Sequence, residues 1–188
     1  MSFPGIPSLD AAVMAFIQTH FHNTVTDTVF PIITSLGEAG IGWIVLSLVL
    51  LCFKKTRRTG GLVLIAMTVT LLFGELTLKN IICRLRPCNV FTDFPMLIAR
   101  PASYSFPSGH TSSSFAAALI LTLRHKKVGW LAYIPAMLIA FSRIFLFVHY
   151  PTDVLAGILL GTLAALLTYF AAKTIQKRQA EKRTAQKA

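Results

Sequence analysis

Residues 154–172 read VLAGILLGTLAALLTYFAA and contain no charged side chain. An α-helix needs roughly 20 consecutive apolar residues to cross the hydrocarbon core of a bilayer, and this segment provides nearly all of them. Four further apolar runs occupy residues 39–53, 60–78, 108–123 and 128–148. The sequence therefore predicts an all-α membrane protein with five spanning helices, of which the first and third need flanking residues to reach across.

The composition also points away from a soluble protein. Of 188 residues, 54% are hydrophobic and only 13% are charged, and the mean hydropathy is +0.66. The three cysteines match no metal-binding or disulfide framework, so incidental or buried thiols are favoured. A bond between Cys83 and Cys88 is the alternative.

The formal net charge of +11 would fit a nucleic-acid-binding protein, but the basic residues are clustered. The clusters, at residues 54–58, 124–127 and 173–188, follow the first, third and fifth apolar runs. Since the ends of alternate spans lie on one side of a membrane, the positive-inside rule makes that side cytoplasmic. We therefore expect a multi-pass cell-membrane protein with a basic cytoplasmic tail, 173–188, and no nucleic-acid partner.

The segment before the first apolar run, residues 1–36, leaves two alternatives open. An apolar stripe that includes Leu9, Val13 and Phe16 is interrupted by polar side chains such as Asp10 and His20. This pattern favours an amphipathic helix at the interface over a sixth spanning helix. Residues 37–172 then form the membrane domain.

Five basic residues, Lys79, Arg84, Arg86, Arg100 and Arg143, fall on the predicted outer side. In the stretch KNIICRLRP, residues 79–87, Lys79 and Arg86 are seven residues apart, which places them on one face of a helix that Pro87 ends. Such a pair fits a clamp for a tetrahedral anion. The alternative is that both side chains reach up to lipid headgroups.

The stretch PSGH, residues 107–110, directly precedes an apolar run. Ser108 is placed to cap the helix, and the free N–H groups of the first turn favour a bound anion. Gly109 permits close approach to the backbone, and His110 can exchange a proton near neutral pH. An ordinary helix start with an incidental histidine is the alternative.

The third polar stretch is SRIFLFVHYPTD, residues 142–153. Four residues separate His149 from Asp153, so the carboxylate can fix the imidazole tautomer and leave the other nitrogen free as a nucleophile. Arg143 adds a further cation. A purely structural pair is the alternative, but the predicted topology brings all three stretches to the same outer face.

These stretches match three motifs, K-x6-RP, PSGH and SR-x5-H-x3-D, in order and with every spacing intact between residues 79 and 153. The sequence thereby resembles the type 2 phosphatidic acid phosphatase (PAP2) superfamily of membrane lipid phosphatases. The resemblance implies an antiparallel bundle, usually of six helices, with a haloperoxidase-like core, and neither a metal nor another cofactor.

The resemblance also implies a role for each motif residue. His149 would attack phosphorus to form a phosphohistidine, Asp153 would orient it, and His110 would protonate the leaving oxygen and then activate water. The phosphoryl oxygens would be held by Lys79, Arg86, Ser108, Gly109 and Arg143.

The substrate implied by the resemblance is a lipid phosphate at the outer face. Bacterial family members that act on undecaprenyl diphosphate are the favoured comparison, and those that act on phosphatidylglycerol phosphate or phosphatidic acid are the alternative. Arg84 and Arg100 lie in the same outer region, and our hypothesis is that one of them contacts the second phosphate of a diphosphate.

Three other classes of function are open from the residues alone. A serine hydrolase would use Ser108 or Ser142, although no G-x-S-x-G context surrounds either. A metalloenzyme would use the two histidines and the aspartate, which the surrounding cations oppose. A transporter or scaffold would use Glu75 within a span, but a Glu75 to Lys79 pair at i, i+4 is the simpler interpretation.

Overall fold

A computed structural model of the chain describes residues 3–186, and within that range every regular element is a helix. A π-helical stretch joins α4 to α5, and 3-10 turns precede α3 and α8. The all-α prediction is confirmed. The helices are α1 (Ser8–His20), α2 (Thr24–Leu36), α3 (Ile41–Cys52), α4 (Arg57–Thr70), α5 (Lys79–Ile82), α6 (Pro87–Val90), α7 (Gly109–Arg124), α8 (Tyr133–Phe145) and α9 (Pro151–Ala185).

Two helical segments, Arg57–Val90 and Pro151–Ala185, are long and apolar enough to cross a membrane. They contain the predicted second and fifth spans. The helices α2 and α3 meet the same test only as a pair, which is bent by 45° at its break. The predicted third and fourth spans coincide with α7, which has 16 residues, and with the apolar helix Gly129–Phe145. The membrane character is confirmed, whereas the count of five spans stays a prediction.

The centre of the bundle is the contact between α7 and α9. A Cβ atom at Gly157 would lie 2.7 Å from the carbonyl oxygen of Ser108, and one at Gly161 would overlap the carbonyl of Ser112. Backbone therefore packs against backbone, as small residues four apart predict. This close approach holds the start of α7 beside the start of α9.

The opposite side of α9 carries a row of exposed leucines, Leu155, Leu159, Leu163 and Leu167. Their spacing of four places them along one face, which fits contact with lipid chains. Beyond this apolar part the helix continues to Ala185, with its basic residues exposed. The basic tail is thus a solvated extension of the last helix as far as the structure describes it.

The helices α1 and α2 have 13 residues each, too few for either to cross a bilayer alone. In α1, Gln18 donates a hydrogen bond over 3.0 Å to the carbonyl of Phe145 at the end of α8. In α2, Phe30 packs on Phe141 and Phe145. The chain then turns through Ala39 and Gly40, both at positive φ, into α3. Both helices therefore pack against α8. The contact of α1 is with the C-terminal end of α8, which belongs to the 142–153 stretch.

Candidate active site

All three polar stretches contribute to one cavity of about 930 Å³. The sequence separates them by tens of residues, and the packing of α7 against α8 and α9 brings them together. The predicted site residues that line the cavity are Lys79, Arg86, Gly109, His110, Arg143 and His149. Ser108 and Asp153 lie behind this lining, fully buried.

His149 lies in the turn between α8 and α9. Its Nε2 atom is 2.9 Å from a terminal nitrogen of Arg86. Because a guanidinium can only donate, Nε2 accepts this hydrogen bond, and in the neutral ring Nδ1 carries the proton. Burial and the positive charges of Arg86 and Arg143 lower the pKa of His149 well below its ordinary value. Nε2 is therefore unprotonated, and its electron pair accepts the hydrogen bond from Arg86.

The turn after α8 explains why five residues separate Arg143 from His149. The carbonyl oxygen of Arg143 accepts the N–H groups of both Val148 and His149, at 3.2 and 3.1 Å. This closes the turn after α8, and Phe147 within it adopts a φ of 60°. The ring of Phe147 stacks on Phe94 at 3.9 Å between centroids. This turn places His149 in the lining of the cavity.

Asp153 lies behind His149 in the first turn of α9. Its Oδ2 atom is 3.5 Å from Nδ1 of His149 and accepts the backbone N–H of Tyr150 at 2.9 Å. The predicted facing of carboxylate and imidazole is thus present, at a distance longer than a hydrogen bond. Nδ1 has no other hydrogen-bond partner within residues 3–186. The carboxylate is positioned to bond this nitrogen when the ring gains charge.

Three cations converge on the cavity. Arg86 donates to the carbonyl of Ser103 at 2.7 Å and to its hydroxyl at 3.0 Å, and Lys79 lies 3.4 Å from the same hydroxyl. Arg143 donates to the hydroxyl of Thr34, and its Nε has no partner in the part of the chain that the structure describes. Among residues 3–186, Glu75 is the one carboxylate that pairs with any of the three, at 2.8 Å from Lys79. The cluster therefore fits an anionic group.

One detail of the first motif was predicted wrongly. The helix that carries Lys79 ends at Ile82, because Cys83 adopts a left-handed conformation with φ of 50°. Arg86 follows in extended chain, and Pro87 begins α6 rather than ending α5. Lys79 and Arg86 therefore do not share a helical face. They meet because both side chains contact Ser103, which lies in the connection before α7.

The start of α7 differs from its prediction in two respects. Ser108 occupies the N-cap position, but its hydroxyl makes no capping bond and instead accepts from Thr111 at 2.9 Å. The first-turn N–H groups are therefore left available to an anion. The carboxylate of Glu75 lies against Gly109, and a Cβ atom there would have to displace this side chain.

Of the two candidates for a second-phosphate contact, Arg84 is the less favoured by the geometry. Its guanidinium lies outside the cavity and pairs with Asp10 at 2.7 Å and with Asp153 at 2.6 Å. Arg100 does line the cavity. It donates to the carbonyls of Cys88 and Thr92, which fixes the connection after α6.

Several alternatives find no support in the geometry. Ser108 is bonded to Thr111, and Ser142 donates to a carbonyl of its own helix at 2.6 Å, so neither serine is bonded to a histidine. Across residues 3–186, no three His, Cys, Asp or Glu side chains are grouped to hold a metal ion. Cys83 and Cys88 are both free thiols. The Glu75 to Lys79 pair is confirmed.

Comparison with known proteins agrees with the family resemblance of the three motifs. The profile of the PAP2 superfamily matches residues 59–177. An undecaprenyl-diphosphatase of Sulfolobus acidocaldarius is 37% identical over 127 residues, which are 67% of this chain and 61% of that protein. The chain thus spans under two thirds of that relative's length.

Two further matches cover a larger share of this chain and of the matched protein. Undecaprenyl-diphosphatase BcrC of Bacillus subtilis is 31% identical over 157 residues, 79% of this chain and 76% of that one. The crystal structure of a PAP2-type phosphatidylglycerolphosphate phosphatase from Bacillus subtilis superposes with a TM-score of 0.72 at 29% identity, covering 92% of this chain and 89% of that one.

Proposed function

This chain belongs to the PAP2 superfamily, and from that premise we propose that it is a membrane lipid phosphatase that acts through a phosphohistidine on His149. One observation carries the proposal. The unprotonated Nε2 of His149 is bonded to Arg86, and both residues line one cavity with Lys79 and Arg143. A nucleophile beside a cluster of cations is what phosphoryl transfer requires, because the protein must mainly position the group and neutralise its oxygens.

The first step forms a bond between Nε2 of His149 and phosphorus. The bond from phosphorus to the leaving oxygen breaks, and His110 gives that oxygen a proton. The ring of His149 then carries positive charge, which Asp153 at 3.5 Å from Nδ1 stabilises. In the second step His110 takes a proton from water, the water oxygen attacks phosphorus, and phosphate leaves with His149 restored.

The cavity fits a substrate that has both a charged end and an apolar chain. Beyond the cations it is lined by apolar side chains of α3, of α4 and of the π-helical stretch that follows α4, including Ile44, Leu64, Met67 and Leu71. We expect the phosphate group to bind at the cations and the apolar chain of the lipid to lie along these side chains. Undecaprenyl diphosphate is the favoured substrate because two relatives carry that activity in their names.

A phosphomonoester of a glycerolipid is the second candidate. The similarity to the phosphatidylglycerolphosphate phosphatase favours it, since that protein aligns over nearly the whole chain. Phosphate release from undecaprenyl diphosphate, phosphatidylglycerol phosphate and phosphatidic acid, with purified protein in detergent, separates the candidates. The His149→Ala variant is the control. No release from any lipid by the wild-type protein would contradict the enzyme proposal and favour a transporter or scaffold.

The proposal places the site on the extracytoplasmic face and the C-terminus in the cytoplasm. The basic clusters that follow the predicted spans support this orientation. Cys83, which is exposed near the site, provides a test. In a Cys52→Ser variant, a membrane-impermeant maleimide added to intact cells should label the protein, and labelling only after cell lysis would reverse the orientation.

A further inference from the structure

Asp10, on α1, is fully buried against the first turn of α9. Its Oδ1 atom accepts the backbone N–H of Thr152 at 2.9 Å, and its Oδ2 atom accepts the Thr152 hydroxyl at 2.7 Å. A carboxylate at the positive end of a helix is favourable, and here it comes from a different helix. Asp10 thus fixes the turn that carries Asp153.

Arg84 connects this carboxylate to the site. One terminal nitrogen donates to Asp10 at 2.7 Å, and the other donates to Asp153 at 2.6 Å and to Thr152 at 2.7 Å. The guanidinium carbon lies 3.8 Å above the centre of the Tyr150 ring. The planar group is therefore held on both edges and on one face, and it can adopt only one orientation.

The arrangement determines how Asp153 faces His149. One oxygen of Asp153 is taken by Arg84 and the other by the N–H of Tyr150, so the carboxylate plane cannot rotate. That plane sets the 3.5 Å approach to Nδ1 of His149. Without Asp10, one edge of the Arg84 guanidinium would have no ionic partner, and the carboxylate it orients would gain rotational freedom.

We infer that Asp10 and Arg84 are positioning residues for catalysis, which act through Asp153 on the nucleophile. The inference rests on the proposed function. Arg84 occupies an unspecified position of the K-x6-RP motif, and Asp10 lies outside the stretch, residues 59–177, that the superfamily profile matches. The first helix is thereby part of the catalytic apparatus rather than only a membrane anchor.

The competing explanation is that the contact merely attaches α1 to the bundle. Gln18 offers a matched control, because it is another polar anchor of α1 and contacts the carbonyls of Ile144 and Phe145 instead of Asp153. If attachment is all that matters, Gln18→Ala should reduce activity as Asp10→Asn does. If orientation matters, only the Asp10 and Arg84 variants should reduce the chemical rate.

The experiment compares full-length Asp10→Asn, Arg84→Gln and Gln18→Ala with the wild type on the preferred lipid. We expect kcat to fall about 10- to 100-fold in the first two, as is typical when partners that orient catalytic groups are lost, with KM nearly unchanged. Gln18→Ala should keep the wild-type kcat. Equal losses in all three variants, or a higher KM at unchanged kcat, would overturn the inference.

A double-mutant cycle excludes a general loss of folding. In an Asp153→Asn background, Asp10→Asn should change kcat by less than about 2-fold, because residues that act through one another are not additive. A full further loss in that background would show that Asp10 acts independently. A wild-type protein that releases no phosphate would instead contradict the proposed function, and the positioning role with it.

Discussion

Arg86 donates a hydrogen bond over 2.9 Å to Nε2 of His149, so a cation of the site and the proposed nucleophile are in direct contact. The same nitrogen of Arg86 also donates to the carbonyl of Val148 at 2.9 Å. A phosphoryl group that enters the cavity offers this guanidinium better acceptors. Binding would then release Nε2 for attack, which couples activation of the nucleophile to the presence of substrate.

Replacing Arg86 with lysine should therefore impair the reaction although the charge is kept. Lysine cannot reproduce the planar fork that joins Ser103, Val148 and His149. We expect kcat/KM to fall about 100-fold, similar to the loss of one donor at an oxyanion site. Arg58→Lys, on an exposed part of α4, is the control and should have no effect. Near-normal activity of Arg86→Lys would show that only its charge matters.

The separate roles of His149 as nucleophile and His110 as acid and base can be tested with a substrate whose leaving group needs no proton. One such substrate is p-nitrophenyl phosphate. In His110→Ala the first step should proceed and the second should stall, because no base activates the water. Phosphorus-labelled protein, stable in alkali and labile in acid, should accumulate in this variant and be absent from His149→Ala. Label on the His149→Ala protein would assign the nucleophile elsewhere.

Arg100 is the candidate for the second phosphate that the geometry favours. It lines the cavity, whereas Arg84 is bonded to Asp10 and Asp153. We expect Arg100→Ala to reduce kcat/KM about 10- to 100-fold more for a lipid diphosphate than for the monophosphate. This is the fold-change that corresponds to the loss of one charged hydrogen bond. Equal losses on both substrates would indicate that Arg100 only holds the Cys88 to Phe94 connection in place.

The cation cluster predicts how inhibitors and chelators act. Vanadate, a phosphate analogue that can add a fifth ligand, should bind between His149 and the cations and inhibit competitively. EDTA should leave phosphate release unchanged if Lys79, Arg86 and Arg143 supply the positive charge. Loss of activity in EDTA that magnesium or zinc restores would instead support the metalloenzyme alternative.

The close approach of α7 and α9 predicts a stability effect that is separate from catalysis. Gly161→Val would push a side chain into the backbone of Ser112, and overpacking of this kind costs about 1–3 kcal/mol. The apparent melting temperature in detergent should fall. Gly61→Ala on α4, where nothing lies within 4 Å of the added carbon, should leave it unchanged or raise it. Equal melting temperatures for the two variants would contradict the packing.

Much of the site could be predicted because its signals are local. Glu75 and Lys79 pair at i, i+4 as predicted, and His149 faces Asp153 across the same spacing. Glu75 and Lys79 lie on one helical turn, and His149 lies just before the helix that carries Asp153, so in both pairs a short spacing in the sequence sets the geometry. The apolar runs predicted the helical membrane fold for a similar reason, since length and hydropathy alone decide whether a helix can span.

The sequence by itself thus determined the membrane fold and the three motifs, and it indicated the residues that we propose carry the chemistry. Only the tertiary structure decided that Arg84 binds Asp10 and Asp153, that Ser103 joins Lys79 to Arg86, and that Thr34 holds Arg143. Among these contacts, Arg84 and Asp153 are 69 positions apart, and Thr34 and Arg143 are 109 apart. No spacing rule covers such distances, because the partners meet only after the helices have packed.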